Sequence, residues 1–425
     1  MSHRLIKHVI LFLLFPCIIS CSEEATVDNN KIFSEMMTLL NERDFFKLSA
    51  KLSLLEVSES PEIQFFTAAA ENAFNNLQSS NEIISDLLSE SSLPDSLNYK
   101  LYALKMNNHL RLYQYREAFD TASIIMDAPA GEIDPVVVSD IENTSKILKA
   151  ISDIPPQNVN IKNSSTIVIE NGRIPVDFDG EMRNYIFDTG ANFSLVIQSE
   201  AVELGLDIRK AGVEVGTSTD IKIYADIAVA GKLTIGNIDY DNVVFLVVPD
   251  EMLTFPGGYK IPGIIGFPVI EAMKEIRFRK DGTLEIPESP SQQDISNIAL
   301  DELDILTLVE YGADSLICRL DSGANATALY EPFLEKYYAS VTADQVIDTL
   351  VTGGVGGNIK MPVYNMENVK VKIGNKEIVI PNTSVYTRPV TSEENNYLYG
   401  NIGIDVLHNF DEYIINFLTM TLLIR

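Results

Sequence analysis

Two stretches of this 425-residue chain decide its reading: Tyr185-Ile186-Phe187-Asp188-Thr189-Gly190-Ala191-Asn192 and Ile317-Cys318-Arg319-Leu320-Asp321-Ser322-Gly323-Ala324-Asn325. Each is an apolar strand running into Asp-Thr/Ser-Gly-Ala-Asn. The surroundings repeat as well. A hairpin precedes each strand, turning at Asp179-Gly180 after Val176-Asp177-Phe178 and at Tyr311-Gly312 after Leu308-Val309-Glu310. A helix is expected after each loop, over Ser199 to Leu206 and Glu331 to Tyr338. Gly-rich tips follow at Val215-Gly216-Thr217-Ser218 and Val351-Thr352-Gly353-Gly354-Val355-Gly356-Gly357, then β segments beginning at Lys232 and Asn368. Each half closes with an apolar strand ending in Gly, Ile264-Ile265-Gly266 and Asn401-Ile402-Gly403, 78 and 82 residues after its Asp.

A lone Asp-Thr-Gly occurs in many unrelated turns, whereas the paired version with matching downstream strands is specific. The chain resembles the aspartic peptidases over about residues 163 to 425, nearer to the retropepsin-like branch because Ala follows each Asp-Thr/Ser-Gly. It is also similar to the duplicated retropepsin-like lipoproteins of Bacteroidetes, and Gly403-Ile404-Asp405-Val406-Leu407 is similar to the segment that closes a retropepsin lobe. The resemblance implies a dyad of Asp188 and Asp321, with Thr189 and Ser322 bonded across an approximate twofold axis. It implies that Ile265-Gly266 and Ile402-Gly403 pack beneath the loops, and that the tips carrying Gly216, Thr217, Gly353 and Gly354 act as flaps over an extended peptide. Two departures stand out: Asn401 replaces the expected apolar residue, and no flap Tyr is evident near Gly216. Gly354-Val355-Gly356-Gly357 lacks the Gly-Lys-Ser/Thr ending of a phosphate loop.

The chemistry explains the residue types. Two carboxyls about 3 Å apart cannot both ionise cheaply, so one stays protonated while the other acts as general base on a water. Gly190 and Gly323 let each loop approach the other without a Cβ in the way. Ala191 and Ala324 offer no hydroxyl to a carboxylate, which predicts a raised upper pKa and a mild working pH.

The rest of the sequence frames this pair. Arg4 and Lys7 precede the apolar run Val9 to Ile19, too short to span a bilayer and laid out as an export signal. Ile18-Ile19-Ser20-Cys21 resembles a bacterial lipobox, which implies acylation at Cys21 and a lipid-anchored place in the cell envelope, on the periplasmic or surface face of the outer membrane. Ser22-Glu23-Glu24 is similar to an acidic surface-export tag. Cys318 is then the lone thiol of the mature chain, expected as a buried strand residue. Apolar residues at helical spacing (Ile32, Met36, Leu39, Leu40; Leu101, Leu104, Met106, Leu110) predict amphipathic helices, and Lys105 to Asp127 resembles a tetratricopeptide-type helical pair in which Ala118, Ala122 and Ile125 face back.

The expected fold class is therefore multidomain: an all-α, tetratricopeptide-like domain followed by a mostly β, bilobal domain of aspartic-peptidase type. The boundaries read as signal 1–21, helices 22–150, linker 151–163, lobe 1 164–287, linker 288–300 and lobe 2 301–425. A formal charge of −28 with no basic cluster argues against nucleic acid as a partner. Four His (His3, His8, His109, His408) leave few parts for a metal site or a Ser-His-Asp triad, so neither metal nor cofactor is expected. With both loops in one chain, the site forms in a monomer. The alternative reading is a catalytically silent peptide-binding or scaffold lipoprotein whose helices recruit a partner, and a third possibility has the helices cover the cleft.

Overall fold

The computed structural model describes residues 29–425 except 56–59, 90–92, 129–132, 134, 216–222, 256, 344, 355, 375 and 390–396. The export signal, the lipobox with Cys21, and the flap residues Gly216 and Thr217 lie outside the described residues.

Seven helices come first: α1 (Asn29–Asn41), α2 (Phe45–Ser53), α3 (Pro61–Ala73), α4 (Leu77–Ser89), α5 (Asp95–Arg111), α6 (Tyr115–Met126) and α7 (Pro135–Ile151). The first six form hairpins that turn alike. Arg43, Asn75 and Tyr113 each take a left-handed conformation (φ 54°, 64° and 58°) just past a helix end. In each turn that residue's N–H bonds the carbonyl three residues back, and the next N–H bonds the carbonyl five back, as in Asp44 to Leu39, Asn76 to Glu71 and Gln114 to His109. This double bond pattern satisfies carbonyls that a helix end otherwise leaves open. The predicted pair over Lys105 to Asp127 is α5 and α6, and Ala118, Ala122 and Ile125 are buried against Met106.

The same three turn residues fasten the helices to the rest of the molecule. Arg43 Nε lies 3.3 Å from Asp301 Oδ1, Asn75 Nδ2 donates to Phe417 O at 3.0 Å, and the Tyr113 hydroxyl donates to Pro268 O at 2.8 Å. The helices therefore bridge both β lobes. Phe66, Leu101 and their neighbours share a core with Ala299, Leu306 and Ile317, while Tyr115, Ile147 and Ile151 share one with Leu195, Val213 and Ile227. Between helices and lobe 1 the Arg111 guanidinium, fully buried, bonds Asn72 O and Asn75 Oδ1 and faces Glu271 Oε1 at 3.7 Å. Arg111, Tyr113 and Glu271 also line a groove of about 880 Å³ there.

The first half of the β region contains β1 (Asn158–Ile161), β2 (Ser165–Val168), β3 (Arg173–Phe178), β4 (Glu181–Phe187), β5 (Ser194–Ile197), α8 (Gln198–Glu203), β6 (Asp207–Val215), β7 (Ile223–Ile235), β8 (Ile238–Val248), β9 (Gly263–Ile265), α9 (Phe267–Glu271), β10 (Glu275–Arg279) and β11 (Thr283–Ile286). The second contains β12 (Ile298–Asp301), β13 (Asp304–Tyr311), β14 (Asp314–Leu320), β15 (Ala328–Leu329), α10 (Glu331–Lys336), α11 (Tyr338–Val341), β16 (Asp348–Gly354), β17 (Gly357–Ile373), β18 (Lys376–Tyr386), β19 (Gly400–Ile402), α12 (Ile404–Leu407), β20 (Glu412–Asn416) and β21 (Thr421–Ile424).

Two eight-stranded sheets result, ordered β1-β8-β5-β9-β4-β3-β7-β6 and β12-β13-β14-β19-β15-β18-β17-β16. Their central pairings correspond: β4 runs parallel to β9 as β14 does to β19, and β5 runs antiparallel to β9 as β15 does to β19. A third sheet, β2-β11-β10-β20-β21, takes strands from both halves. Phe278 on β10 stacks on Tyr413 of β20 (4.5 Å, 14°) and meets Phe187 edge-on at 5.8 Å, so the strand leading to Asp188 rests on the shared sheet.

Several local expectations shift. The stretch 151–163 holds β1, paired with β8, and 288–300 holds most of β12, so neither is a bare linker. β2 joins the shared sheet rather than lobe 1. The first hairpin turns at Asp179-Gly180 (φ 53° and 101°), the two positive φ values a tight I′-type turn demands. The second turns one residue later, at Gly312-Ala313, with Tyr311 opposite Asp314. The helix expected from Ser199 to Leu206 stops at Glu203, ahead of Gly205 at φ 64°, and that expected to Tyr338 stops at Lys336.

Candidate active site

Asp188 and Asp321 sit at the ends of β4 and β14, and the closing strands hold both loops from below. Asp188 N donates to Ile265 O and Asp321 N to Ile402 O, each at 3.0 Å. The residue after each closing Gly reaches back to the loop: Phe267 N to Ala191 O at 2.8 Å, and Ile404 N to Ala324 O at 3.0 Å. Gly266 N donates to Ser194 Oγ and Gly403 N to Thr327 Oγ1, both at 3.0 Å. A Cβ on Gly266 would lie 2.5 Å from the Phe193 backbone, and one on Gly403 2.7 Å from Ala324 O. Thr327 Oγ1 in turn donates to Asp405 Oδ1 at 2.7 Å, which gives the Gly403-to-Leu407 segment its structural purpose.

Across the axis the loops grip one another. Thr189 N donates to Ser322 Oγ at 3.0 Å and Ser322 N to Thr189 Oγ1 at 2.9 Å. The hydroxyls continue to Leu320 O (3.4 Å) and Phe187 O (3.2 Å) of the opposite strand. Four reciprocal bonds thus fix the separation of the two Asp side chains, at a net worth of roughly 0.5–1.5 kcal/mol each. Gly190 and Gly323 occupy the closest approach: a Cβ on Gly190 would lie 2.5 Å from Asp321 Cγ, and one on Gly323 2.3 Å from Asp188 Cγ.

Each carboxyl thus lies against the glycine of the opposite loop, and burial followed by the charge of Asp321 pushes the Asp188 carboxyl up to about 7. The loops remain open on one side, where Asn192, Gly323, Asn325 and Ala326 are exposed. Burial and the neighbouring charge thus hold the Asp188 carboxyl above its ordinary range.

Asn401 finds its partner in the site: Nδ2 donates to Asp321 Oδ2 at 3.0 Å. Arg319, two residues before Asp321, is the feature sequence reasoning missed. It pairs in register with Asn401, where lobe 1 sets Ile186 against Ile264. Its Nη2 bonds Gly190 O and lies 2.7 Å from Asp304 Oδ1. Burial opposes the Arg319 charge, but Asp304 and Asp321 more than offset it and hold the guanidinium above its usual range. The signal was a charged residue inside an apolar strand.

Of the expected flap residues, Gly353 and Gly354 lie on β16 at a hairpin whose tip reaches lobe 1, Gly356 N donating to Met252 O at 3.4 Å. The strand leading to the lobe 1 tip is held by α7: Asn143 Nδ2 donates to Glu214 O (2.7 Å) and accepts from Glu214 N at Oδ1 (2.9 Å). Cys318 is free and buried, and burial pushes its thiol up to about 12, so it is inert. Among the described residues no group of three or more His, Cys, Asp or Glu side chains is arranged to hold a metal ion.

Residues 174–269 match a family model described as aspartyl protease, a span that includes the Asp188 loop and the strand ending at Gly266. Among solved structures, a retropepsin-like aspartic protease from Rickettsia conorii is 20% identical, covering 31% of this chain and 91% of its own with a TM-score of 0.21. Among curated proteins none matches the chain. The family match supports an aspartic peptidase.

Proposed function

We propose that the protein is an aspartic endopeptidase whose two homologous lobes arose by duplication and supply one Asp each, and that it is held at the cell envelope by acyl chains on Cys21. The observation that carries the reading is the reciprocal grip of Thr189 and Ser322, which brings Asp188 and Asp321 within reach of one another. An extended polypeptide lies in the cleft between lobes, beneath the hairpin that carries Gly353 and Gly354. The ionised carboxyl takes a proton from water as the water oxygen bonds to the peptide carbonyl carbon, and the protonated carboxyl gives its proton to the carbonyl oxygen. The resulting gem-diol collapses with cleavage of the C–N bond. The nitrogen takes the proton that came from water, and one diol hydroxyl returns its proton to the other carboxylate, which restores the pair.

In this reading the protein works as a monomer without metal or cofactor and does not engage nucleic acid, while the helical domain braces both lobes and is free to receive a protein partner. The test compares cleavage of an unstructured protein by the soluble form from Ser22 with that by Asp188→Asn and Asp321→Asn. Loss in both variants supports the mechanism. Cleavage undiminished in either refutes it, and inactivity of all three between pH 3 and 8 favours the silent scaffold.

A further inference from the structure

The two halves of the site share their cross-lobe and closing-strand bonds but differ at one register pair, Arg319 with Asn401 in place of Ile186 with Ile264, and in the N–H groups that reach the two carboxyls. The surroundings of the two carboxyls are therefore unequal. Asp188 accepts one N–H, from Gly190 to Oδ1 at 2.8 Å. Asp321 accepts three: Gly323 N and Ala324 N to Oδ1 at 2.8 and 3.0 Å, and Asn401 Nδ2 to Oδ2 at 3.0 Å. N–H donors favour the charged form of the carboxyl they reach. Asn401 is 7% exposed, and its Oδ1 has no hydrogen-bond partner among the described residues. A buried amide left half-satisfied in this way is costly, so what it does with its other end matters. The reverse orientation of the amide would set Oδ1 against Asp321 and require the proton to sit there, so amide orientation and proton position are a single question.

We propose that Asn401 is a positioning residue that keeps Asp321 ionised and leaves the shared proton on Asp188. Resting on the two-carboxyl reading above, this assigns Asp321 as the base that takes the proton from water and Asp188 as the acid that donates to the peptide carbonyl. Among the described residues the charged and titratable groups that act on the pair are Arg319 on β14, Asp304 on β13 and Tyr330 ahead of α10; Asp301 is opposite Asp304 in register, and Tyr330 stacks on Tyr386. Arg319 stands in register with Asn401 and pairs with Asp304, its Nη2 2.7 Å from Asp304 Oδ1.

The test reads the proton directly. Carboxyl carbons of aspartate are labelled with ¹³C in the soluble chain from Ser22, assigned with Asp188→Asn and Asp321→Asn, and followed from pH 3 to 9 in the parent and in Asn401→Ile. Ile is what lobe 1 carries at the corresponding place, as Ile264; Asn401→Ser serves as a second variant should Ile not be accommodated. In the parent the change in the neutral range is expected at the Asp188 carbon. Loss of one charge-assisted bond should let the proton spend roughly tenfold more time on Asp321, so that its carbon titrates over the same interval in the variant. A parent in which Asp321 holds the proton, or a variant whose two carbons titrate as in the parent, overturns the proposal. Because the titration does not depend on turnover, a protein that cleaves nothing would refute the peptidase reading and still decide where the proton lies.

Discussion

Asp188→Asn tests the electrostatics of the pair through stability rather than turnover. Burial and the charge of Asp321 raise the Asp188 carboxyl from 3.8 to about 7. Between those values the native protein keeps a proton that the unfolded chain has released, so this group's contribution to stability is intact in acid and is lost as pH rises through 7. A displacement of about 3 pH units at about 1.4 kcal/mol each amounts to about 4 kcal/mol lost by pH 8. Asn carries no charge at any pH and can still accept the Gly190 N–H that reaches Oδ1 at 2.8 Å. Parent and variant should therefore unfold at similar denaturant concentrations at pH 4, with the variant more stable by about 4 kcal/mol at pH 8. Groups common to both chains cancel in the difference. Far-UV circular dichroism against denaturant at pH 4, 6 and 8 is the assay. An offset that is constant across the three pH values, or that grows toward acid, refutes the reasoning.

Further perturbations test other links. Gly323→Ala places a Cβ 2.3 Å from the Asp188 carboxyl carbon; cleavage should fall by about 100-fold or more while near-UV circular dichroism is preserved, since a displacement of about 1 Å is enough for such a loss. Thr189→Val leaves the Ser322 N–H without its cross-lobe acceptor and should lower stability by about 1–3 kcal/mol in denaturant titration. Arg111→Leu strands Glu271 between helices and lobe 1 and should cost about 3–5 kcal/mol in the same measurement. Asn143→Ala removes the side-chain acceptor of the Glu214 N–H, and hydrogen exchange at that amide should accelerate relative to β8.

The layout of the two Asp loops was legible because their local geometry is rigid. Asp-Thr/Ser-Gly followed by an apolar strand ending in Gly leaves few other arrangements, since Gly190, Gly323, Gly266 and Gly403 each sit where a Cβ would collide with the opposing loop or with backbone. The helices were legible from their spacing. What could not be read were pairings between distant segments. That β10 and β20 share one sheet, or that Ile298–Asp301 belongs to lobe 2 instead of a linker, depends on partners more than a hundred residues apart in one case and on a tight hairpin in the other. Asn401 was visible as an anomaly, but its partner was not: only the register with Arg319 sets its amide beside Asp321. Likewise Arg43, Asn75 and Tyr113 look like ordinary turn residues until the lobes they fasten are in place.

A crystal structure of the soluble form from Ser22, with the closest oxygen-to-oxygen separation of Asp188 and Asp321 measured in it, would address the core of the account most directly. The account predicts about 3 Å, the spacing of two carboxyls joined by a single proton. Carboxyls held apart by an intervening side chain, or each sealed within its own lobe, would contradict it.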